Sequence, residues 1–189
     1  MRIIAGKFRG RRLQALPGTT TRPTSDKLRE TLFNILAPWI EDTVFIDCYA
    51  GTGAVGIEAL SRGARAAYLI ESDAAAVQVI EKNISWMTTR EAVHTRRGQV
   101  ARVLPTLGPS GVRADICFLD PPYTQLADAV AVIETLAGST LMNSAGWIIL
   151  EHASRDATPE AVGAEPHRWT RTRLLKQGDS ALSFYRRGE

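Results

Sequence analysis

From residue 44 onward the chain alternates between short, nearly continuous apolar runs and longer segments of helical period, and this rhythm limits the fold more than any other feature. The runs at 44–48, 67–70, 93–97, 115–119 and 147–150 have strand length. The segments at 54–61, 74–86, 100–104 and 126–137 between them read as helices. Strands apolar on both sides must be covered on both faces, and strands separated by helices pair in parallel because the helix supplies the crossover. The fold class expected is therefore α/β, a mostly parallel, doubly wound sheet. The rhythm changes near the end, where 169–176 and 181–186 read as two strands joined at Gln177-Gly178-Asp179, an antiparallel hairpin. Ahead of the sheet, a helix starting near Thr24 or Ser25 carries Leu28, Leu32, Ile35, Leu36 and Trp39 at helical spacing, with Pro38 marking its approaching end. Residues 1–23 form a short basic extension whose Gly6, Gly10, Phe8 and Leu13 allow a small hairpin, followed by a loop from Pro17 to Pro23. No repeat, low-complexity tract or linker interrupts the chain, so one domain at 24–189 follows that extension.

The first strand runs directly into a glycine-rich turn and a helix: Phe45-Ile46-Asp47-Cys48-Tyr49-Ala50-Gly51-Thr52-Gly53-Ala54-Val55-Gly56. Glycines let the backbone turn tightly and approach a ligand with no side chain in the way. On spacing alone, Gly51-x-Gly53-x-x-Gly56 with Glu71 about 20 residues on also fits a dinucleotide fingerprint. Asp47 tips the balance. A carboxylate at the strand tip can order the loop and face the cationic methionine part of S-adenosylmethionine, whereas it would repel a pyrophosphate. A nucleotide cofactor and a plain tight turn remain alternatives at this point. Glu71 ends the second strand, where a carboxylate can accept hydrogen bonds from both ribose hydroxyls of an adenosine; the competing role, complementing the dipole of the next helix, suits Asp73 better. Ala50 and Ser72 flank these positions, and the Gln99 amide, after the third strand, is placed to contact adenine.

Asp120-Pro121-Pro122-Tyr123 follows the apolar run Ile116-Cys117-Phe118-Leu119. In an open parallel sheet, loops after neighbouring strand ends converge on one crevice, so Asp120 is expected to face the cofactor as well as to act in catalysis. An exocyclic amine of a purine is a poor nucleophile, because its lone pair is delocalised into the ring. The Asp120 carboxylate and the Pro121 carbonyl can each accept a hydrogen bond from that amine, aligning it and stabilising the charge that develops on nitrogen. Tyr123 offers a flat face for the base, a stacking contact of ~1–3 kcal/mol. Asp-Pro-Pro is also good turn chemistry in any protein, and only its place after a strand, downstream of the glycine loop, favours catalysis.

Charge is distributed unevenly. The net is +3, yet residues 1–30 carry +6 and residues 168–189 carry +4, which leaves −7 for the middle. An acidic body with two basic ends suits a polyanionic partner, though charged ends can also be merely solvated. The candidate contacts are Lys7, Arg9, Arg11, Arg12 and Arg22. Cys48 and Cys117 each lie inside an apolar stretch and read as buried free thiols, and His94, His152 and His167 are scattered, so no metal site is expected. No apolar run approaches the ~20 residues of a membrane span, and the start Met-Arg-Ile-Ile-Ala-Gly has no signal-peptide pattern. A cytoplasmic, monomeric protein is expected.

Together these residues resemble amino-group methyltransferases of the class I, Rossmann-like type. Within that group the chain is similar to the RsmD-type bacterial 16S ribosomal RNA guanine-N2 methyltransferases. The resemblance runs through Arg2-Ile3-Ile4-Ala5-Gly6-Lys7-Phe8-Arg9-Gly10, Thr21-Arg22-Pro23-Thr24-Ser25-Asp26 and Arg29-Glu30-Thr31-Leu32-Phe33-Asn34-Ile35-Leu36. It continues through Gly51 to Ala64 and Asp120-Pro121-Pro122-Tyr123; the N-terminal set is the specific part, since the last motif is shared with DNA amino methylases. Cys48 and Tyr49 depart mildly from the Leu-Phe expected there. The resemblance implies methylation of one guanine N2, with a partly assembled small ribosomal subunit as partner, a catalytic Asp120, and a cofactor bordered by Asp47, Gly51, Gly53 and Glu71. A DNA amino methylase would share both loops but usually needs a recognition domain for which this chain has no room. A nicotinamide oxidoreductase would need a hydride-transfer partner, and a non-enzymatic ribosome-assembly factor would have no use for both Asp47 and Asp120.

Overall fold

In the computed structural model, residues 1–16, 26–88 and 92–188 are described, and the chain divides into two units, Met1–Gln99 and Val100–Glu189. The expected loop from Pro17 to Pro23, the helix start at Thr24 or Ser25, and Arg22 lie outside the described residues.

The first unit holds α1 (Asp26–Leu36), β1 (Val44–Cys48), α2 (Ala54–Ser61), β2 (Ala66–Glu71), α3 (Ala74–Ile84) and β3 (Val93–Arg97). Its strands lie in the order β3-β2-β1 and all pair in parallel. Every residue of β1 is buried, as the Val-Phe-Ile-Asp-Cys run demands of a strand covered on both faces. Because Cys48 pairs with Ile70 and Glu71 with Arg97, the carboxyl ends of the three strands, and the loops leaving them, share one edge. Trp39, expected at the end of α1, lies beyond it and is 46% exposed. Likewise α3 stops at Ile84, short of Trp86.

Residues 1–16 pack onto this unit. A single antiparallel bridge joins Arg2 and Arg12, flanked by Ile3 N–H to the Arg11 carbonyl at 3.0 Å and Gly10 N–H to the Ile3 carbonyl at 2.9 Å. The expected small hairpin is thus present in minimal form, and its attachment to the body is extensive. Glu58, on α2 and fully buried, accepts the N–H groups of Ile4 at 2.7 Å and Ala5 at 3.0 Å. It also pairs with Arg62 at 2.8 Å and with buried Arg29 at 3.9 Å. Arg29 reaches back to the Arg2 carbonyl at 2.7 Å and to Asp26 at 3.0 Å. Gly6 is required by contact as well as conformation: its φ is +81°, and a Cβ there would lie 1.9 Å from the Ser61 carbonyl oxygen.

The second unit holds α4 (Val100–Leu107), β4 (Ala114–Leu119), a single 3-10 turn at Tyr123–Gln125, α5 (Leu126–Ala137), β5 (Met142–Ala153), β6 (Ala161–Val162), β7 (Trp169–Gln177) and β8 (Ser180–Arg187). Its strand order is β4-β5-β8-β7-β6, with β4 and β5 parallel and the remaining pairs antiparallel. The hairpin closes on Gly178-Asp179, with Gly178 at φ +61° and Gln177 facing Ser180. Strand β5 is three times as long as its apolar core at 147–150 suggests. Its first half, Met142-Asn143-Ser144-Ala145-Gly146, is polar and irregular, and the register against β4 shifts between Ala114 and Ile116. Gly146 allows that bulge, since a Cβ there would come within 2.8 Å of the Asp115 carbonyl oxygen. Strand β6, at two residues, is too short to leave a period in the sequence.

Candidate active site

At the shared strand edge of the first unit, two carboxylates hold the glycine turn. Asp47, 1% exposed, accepts the N–H of Gly56 at 2.9 Å. Position 56 has no side chain, and a Cβ there would lie 2.1 Å from a terminal methyl of Leu69 on β2, which would have to shift, and 3.4 Å from the Asp47 carboxylate. Glu71 accepts the N–H of Gly51 at 2.8 Å with one oxygen and that of Asp73 at 2.8 Å with the other. The Ser72 hydroxyl lies 3.4 Å from the second oxygen. Asp73 in turn caps α3, accepting the Ala75 N–H at 3.0 Å. The cap role therefore falls to Asp73, and Glu71 is left to serve the loop. Ala50 is tied to β2 through the Ile70 carbonyl at 2.9 Å, and its own carbonyl receives the Gly53 N–H at 2.7 Å.

The turn is left-handed at Tyr49, Gly51 and Gly53, with φ of +66°, +55° and +78°. The two glycines differ in what surrounds them. A Cβ on Gly53 would press on Leu69, Ile80 and Ile57 at 3.3–3.5 Å, so Gly53 seats the turn on the core. A Cβ on Gly51 would meet nothing within 4 Å, so this backbone borders open space. Open space beside a glycine backbone, with a carboxylate whose oxygens retain acceptor capacity at the next strand end, fits an adenosine-type ligand. Gln99 is exposed and follows Gly98, whose N–H bonds the Glu71 carbonyl at 2.9 Å, so the exits of β2 and β3 are tied together. Asp47, Ala50, Gly51, Gly53, Glu71, Ser72 and Gln99 thus lie along one edge of one sheet.

In the second unit, Asp120 directly follows β4 and is half-buried; Pro121 is buried and Pro122 exposed. The Pro122 carbonyl accepts the Gln125 N–H at 2.7 Å, closing the turn that Tyr123 begins. The Tyr123 side chain lies outside the described residues. The loop is stiff because two proline rings fix its φ angles, and neither nitrogen carries a proton.

Among the proposed RNA contacts, Lys7, Arg9, Arg11 and Arg12 are all exposed. Arg11 is not simply solvated, since its guanidinium stacks over the Trp86 ring at 4.3 Å, and Phe8 meets the same ring edge-on at 5.0 Å. Arg29, counted in the N-terminal charge, is 1% exposed and serves the interior. Among the C-terminal cations, Arg171 bonds the carbonyl and hydroxyl of Thr158 at 2.8 and 2.7 Å, while Arg173 and Lys176 are exposed. Among the described residues no three His, Cys, Asp or Glu side chains gather into a metal-binding group, and no helix is long and apolar enough to cross a membrane.

Two residues that hold the site left no motif in the sequence. Glu58 fastens the N-terminal segment to α2. Asn83, on α3, donates to the Thr52 carbonyl at 2.9 Å and to the Gln14 carbonyl at 3.1 Å, and accepts the Gln14 N–H at 2.7 Å. The signal they do leave is a charged or amide residue on the apolar face of a helix, which burial makes costly unless it is fully bonded.

A strand–glycine loop–helix unit with strand-end carboxylates, in a sheet of this order, defines a Rossmann-like class I methyltransferase. The chain belongs to the family described as Conserved hypothetical protein 95, which matches residues 1–186, the family of the RsmD-type enzymes. It is 36% identical to Ribosomal RNA small subunit methyltransferase D of Escherichia coli (strain K12), over 99% of this chain and 90% of that protein. The protein of the same name from Haemophilus influenzae is 36% identical over 98% of this chain and 92% of its own length. The solved structure of yhhF from Escherichia coli matches with a TM-score of 0.81 at 34% identity, covering 99% of this chain and 97% of that one. The cofactor of this class is S-adenosylmethionine.

Proposed function

We propose that this chain methylates the exocyclic N2 amine of one guanine in 16S ribosomal RNA, within a partly assembled small subunit, acting as a cytoplasmic monomer. The reading rests above all on the glycine turn held by Asp47 and Glu71, in a chain whose relatives are named for small-subunit ribosomal RNA methylation. When bound, S-adenosylmethionine supplies an electrophilic methyl group on a sulfonium. In this reading Asp47 and the Gly51–Gly53 backbone hold the methionine part, Glu71 and Ser72 the ribose, and Gln99 the adenine. Asp120 and the Pro121 carbonyl accept the two N–H bonds of the guanine amine, turning its lone pair outward and stabilising the positive charge that grows on nitrogen. The amine then loses one proton, and Asp120 is the acceptor within reach of it. Tyr123 stacks on the flipped base.

The extension at 1–23 grips phosphates without reading bases, which its exposed Lys7, Arg9 and Arg12 suit. Arg11 and Arg22 complete that set. The test is product analysis. Purified protein is incubated with labelled donor and, separately, duplex DNA, naked 16S RNA and immature small subunits, and the products are digested to nucleosides for mass spectrometry. N2-methylguanosine from the subunits is expected. Methylated adenine or cytosine, or label only in DNA, overturns the assignment.

A further inference from the structure

Asn83 is 3% exposed on the inward face of α3, where an amide is a poorer helix former than Ala and costs free energy if left unbonded. Both of its amide protons are donated and its Oδ1 accepts one bond, and all three bonds leave the helix. Two go to the backbone of Gln14, N–H to Oδ1 at 2.7 Å and Nδ2 to carbonyl at 3.1 Å, in the manner of a strand pair. The third runs from Nδ2 to the Thr52 carbonyl at 2.9 Å, between the two left-handed glycines. The Gly51-Thr52-Gly53 turn is thereby held at each residue: Gly51 by Glu71, Thr52 by Asn83, and Gly53 by both Ala50 and Ile57. Only the Asn83 bond is made by a group that also holds the basic segment.

We infer that Asn83 is a positioning residue that joins the donor turn to the end of the basic extension, so that donor binding and RNA binding strengthen one another. The inference rests on the functional reading above for what binds at each end. The bistable element is the bridge itself, with the amide either closed between Gln14 and Thr52 or open. RNA phosphates on Lys7, Arg9 and Arg12 favour the docked extension and hence the closed bridge. A donor seated on the turn favours the Thr52 carbonyl held in place, and hence the same state. Two ligands that each prefer one state bind cooperatively and reciprocally.

The experiment measures the affinity of immature small subunits for the full chain, with and without saturating S-adenosylhomocysteine, and the affinity of S-adenosylhomocysteine for the free protein by calorimetry. In the wild type the nucleoside is expected to tighten subunit binding at least about fivefold. Asn83→Ala should weaken nucleoside binding and bring the tightening below the roughly fivefold lower end of typical coupling. Gln14→Pro removes the N–H that Oδ1 accepts, on an exposed residue, while its ring also fixes φ at position 14 and restricts Leu13 before it. It should also abolish the tightening yet leave nucleoside affinity near the wild-type value, a split that general loss of packing would not give. Should Asn83→Ala fail to fold, Gln14→Pro and Asn83→Asp, which keeps the acceptor and loses both donations, carry the test. A wild type that shows no tightening, or variants that retain it in full, overturns the inference. Methyl transfer is scored separately, so a wild type that binds cooperatively without methylating refutes the functional reading and leaves the bridge standing.

Discussion

At the residue scale, Glu71 and Asp120 are both strand-end carboxylates, and the chemistry proposed for them separates in a measurable way. Glu71 anchors the turn through two backbone N–H groups, and hydrogen bonds to a charged acceptor contribute about 1.5–3 kcal/mol each. Glu71→Ala is therefore expected to weaken S-adenosylhomocysteine binding by at least about tenfold, with Glu71→Gln, which retains one acceptor, less affected. Calorimetry on the folded variants decides; equal affinity for wild type and Glu71→Ala removes Glu71 from the cofactor site. Asp120 is assigned to the amine. Asp120→Ala should lower the single-turnover methylation rate by more than about tenfold while leaving nucleoside affinity within several-fold of wild type, because its hydrogen bond strengthens only as charge develops. A smaller fall would make Asp120 a turn residue. Both carboxylates are legible in the sequence because each sits at the junction of an apolar run and a loop. Glu58 and Asn83 are not, because nothing in a linear pattern says what a buried polar side chain touches when its partners lie 53 and 69 residues away.

At the element scale, the sequence locates strands and helices wherever apolar period and punctuation agree. Strand β1, helix α2, strand β3 and helix α5 occupy the expected residues, since each is bounded by a glycine, an acid or a polar turn. Helix α4 runs through Pro105 to Leu107. The proline suggests an earlier stop, but the only bond it forfeits is its own missing N–H donation one turn back. The second half of the chain hides more, because β6, β7 and β8 form a meander whose last strand, not its first, pairs with β5, with polar residues buried between them. His152, on β5, is buried and lies 2.9 Å from the Ser183 hydroxyl on β8, which lies 2.9 Å from the Thr158 hydroxyl that Arg171 also bonds. Burial, more than the nearby Arg171 and Lys176, holds the His152 pKa below its ordinary 6.5. The unfolded chain then binds more protons than the folded one between the lowered value and 6.5, so stability is lost as pH falls through that window. His94, also lowered by burial, acts with the same sign. His152→Gln is expected to flatten, without abolishing, the decline in Tm on acidification below pH 6.5. Thermal melts at a series of pH values check this, and an unaltered slope would show that the His152 proton is not linked to folding.

At the scale of the whole molecule, the relevant quantity is how much of the N-terminal charge remains available to a polyanion. Counting along the sequence assigns +6 to residues 1–30, yet one of those cations, Arg29, is buried among Asp26, Glu58 and the Arg2 carbonyl, and another, Arg11, covers Trp86. Replacing Arg9, Arg11 and Arg12 together would therefore mix two effects, a weaker grip on phosphates and an uncovered aromatic ring. The cleaner variant is Arg9→Ala with Arg12→Ala, both exposed, with Arg11→Ala held as a separate control. If the extension grips RNA, the double variant should weaken subunit binding and reduce the slope of log affinity against log salt by roughly 0.7–0.9 for each phosphate no longer neutralised. Nucleoside affinity in the absence of RNA should stay at the wild-type value, since neither arginine touches the glycine turn or the Asn83 bridge. Arg11→Ala should instead lower Tm by removing the cation stacked on Trp86, worth about 0.5–2 kcal/mol, in addition to any change in slope. A double variant whose salt slope matches wild type would move the phosphate grip to the other end of the chain. There Arg171 is engaged with Thr158, so Arg173 and Lys176 would be the pair to replace next.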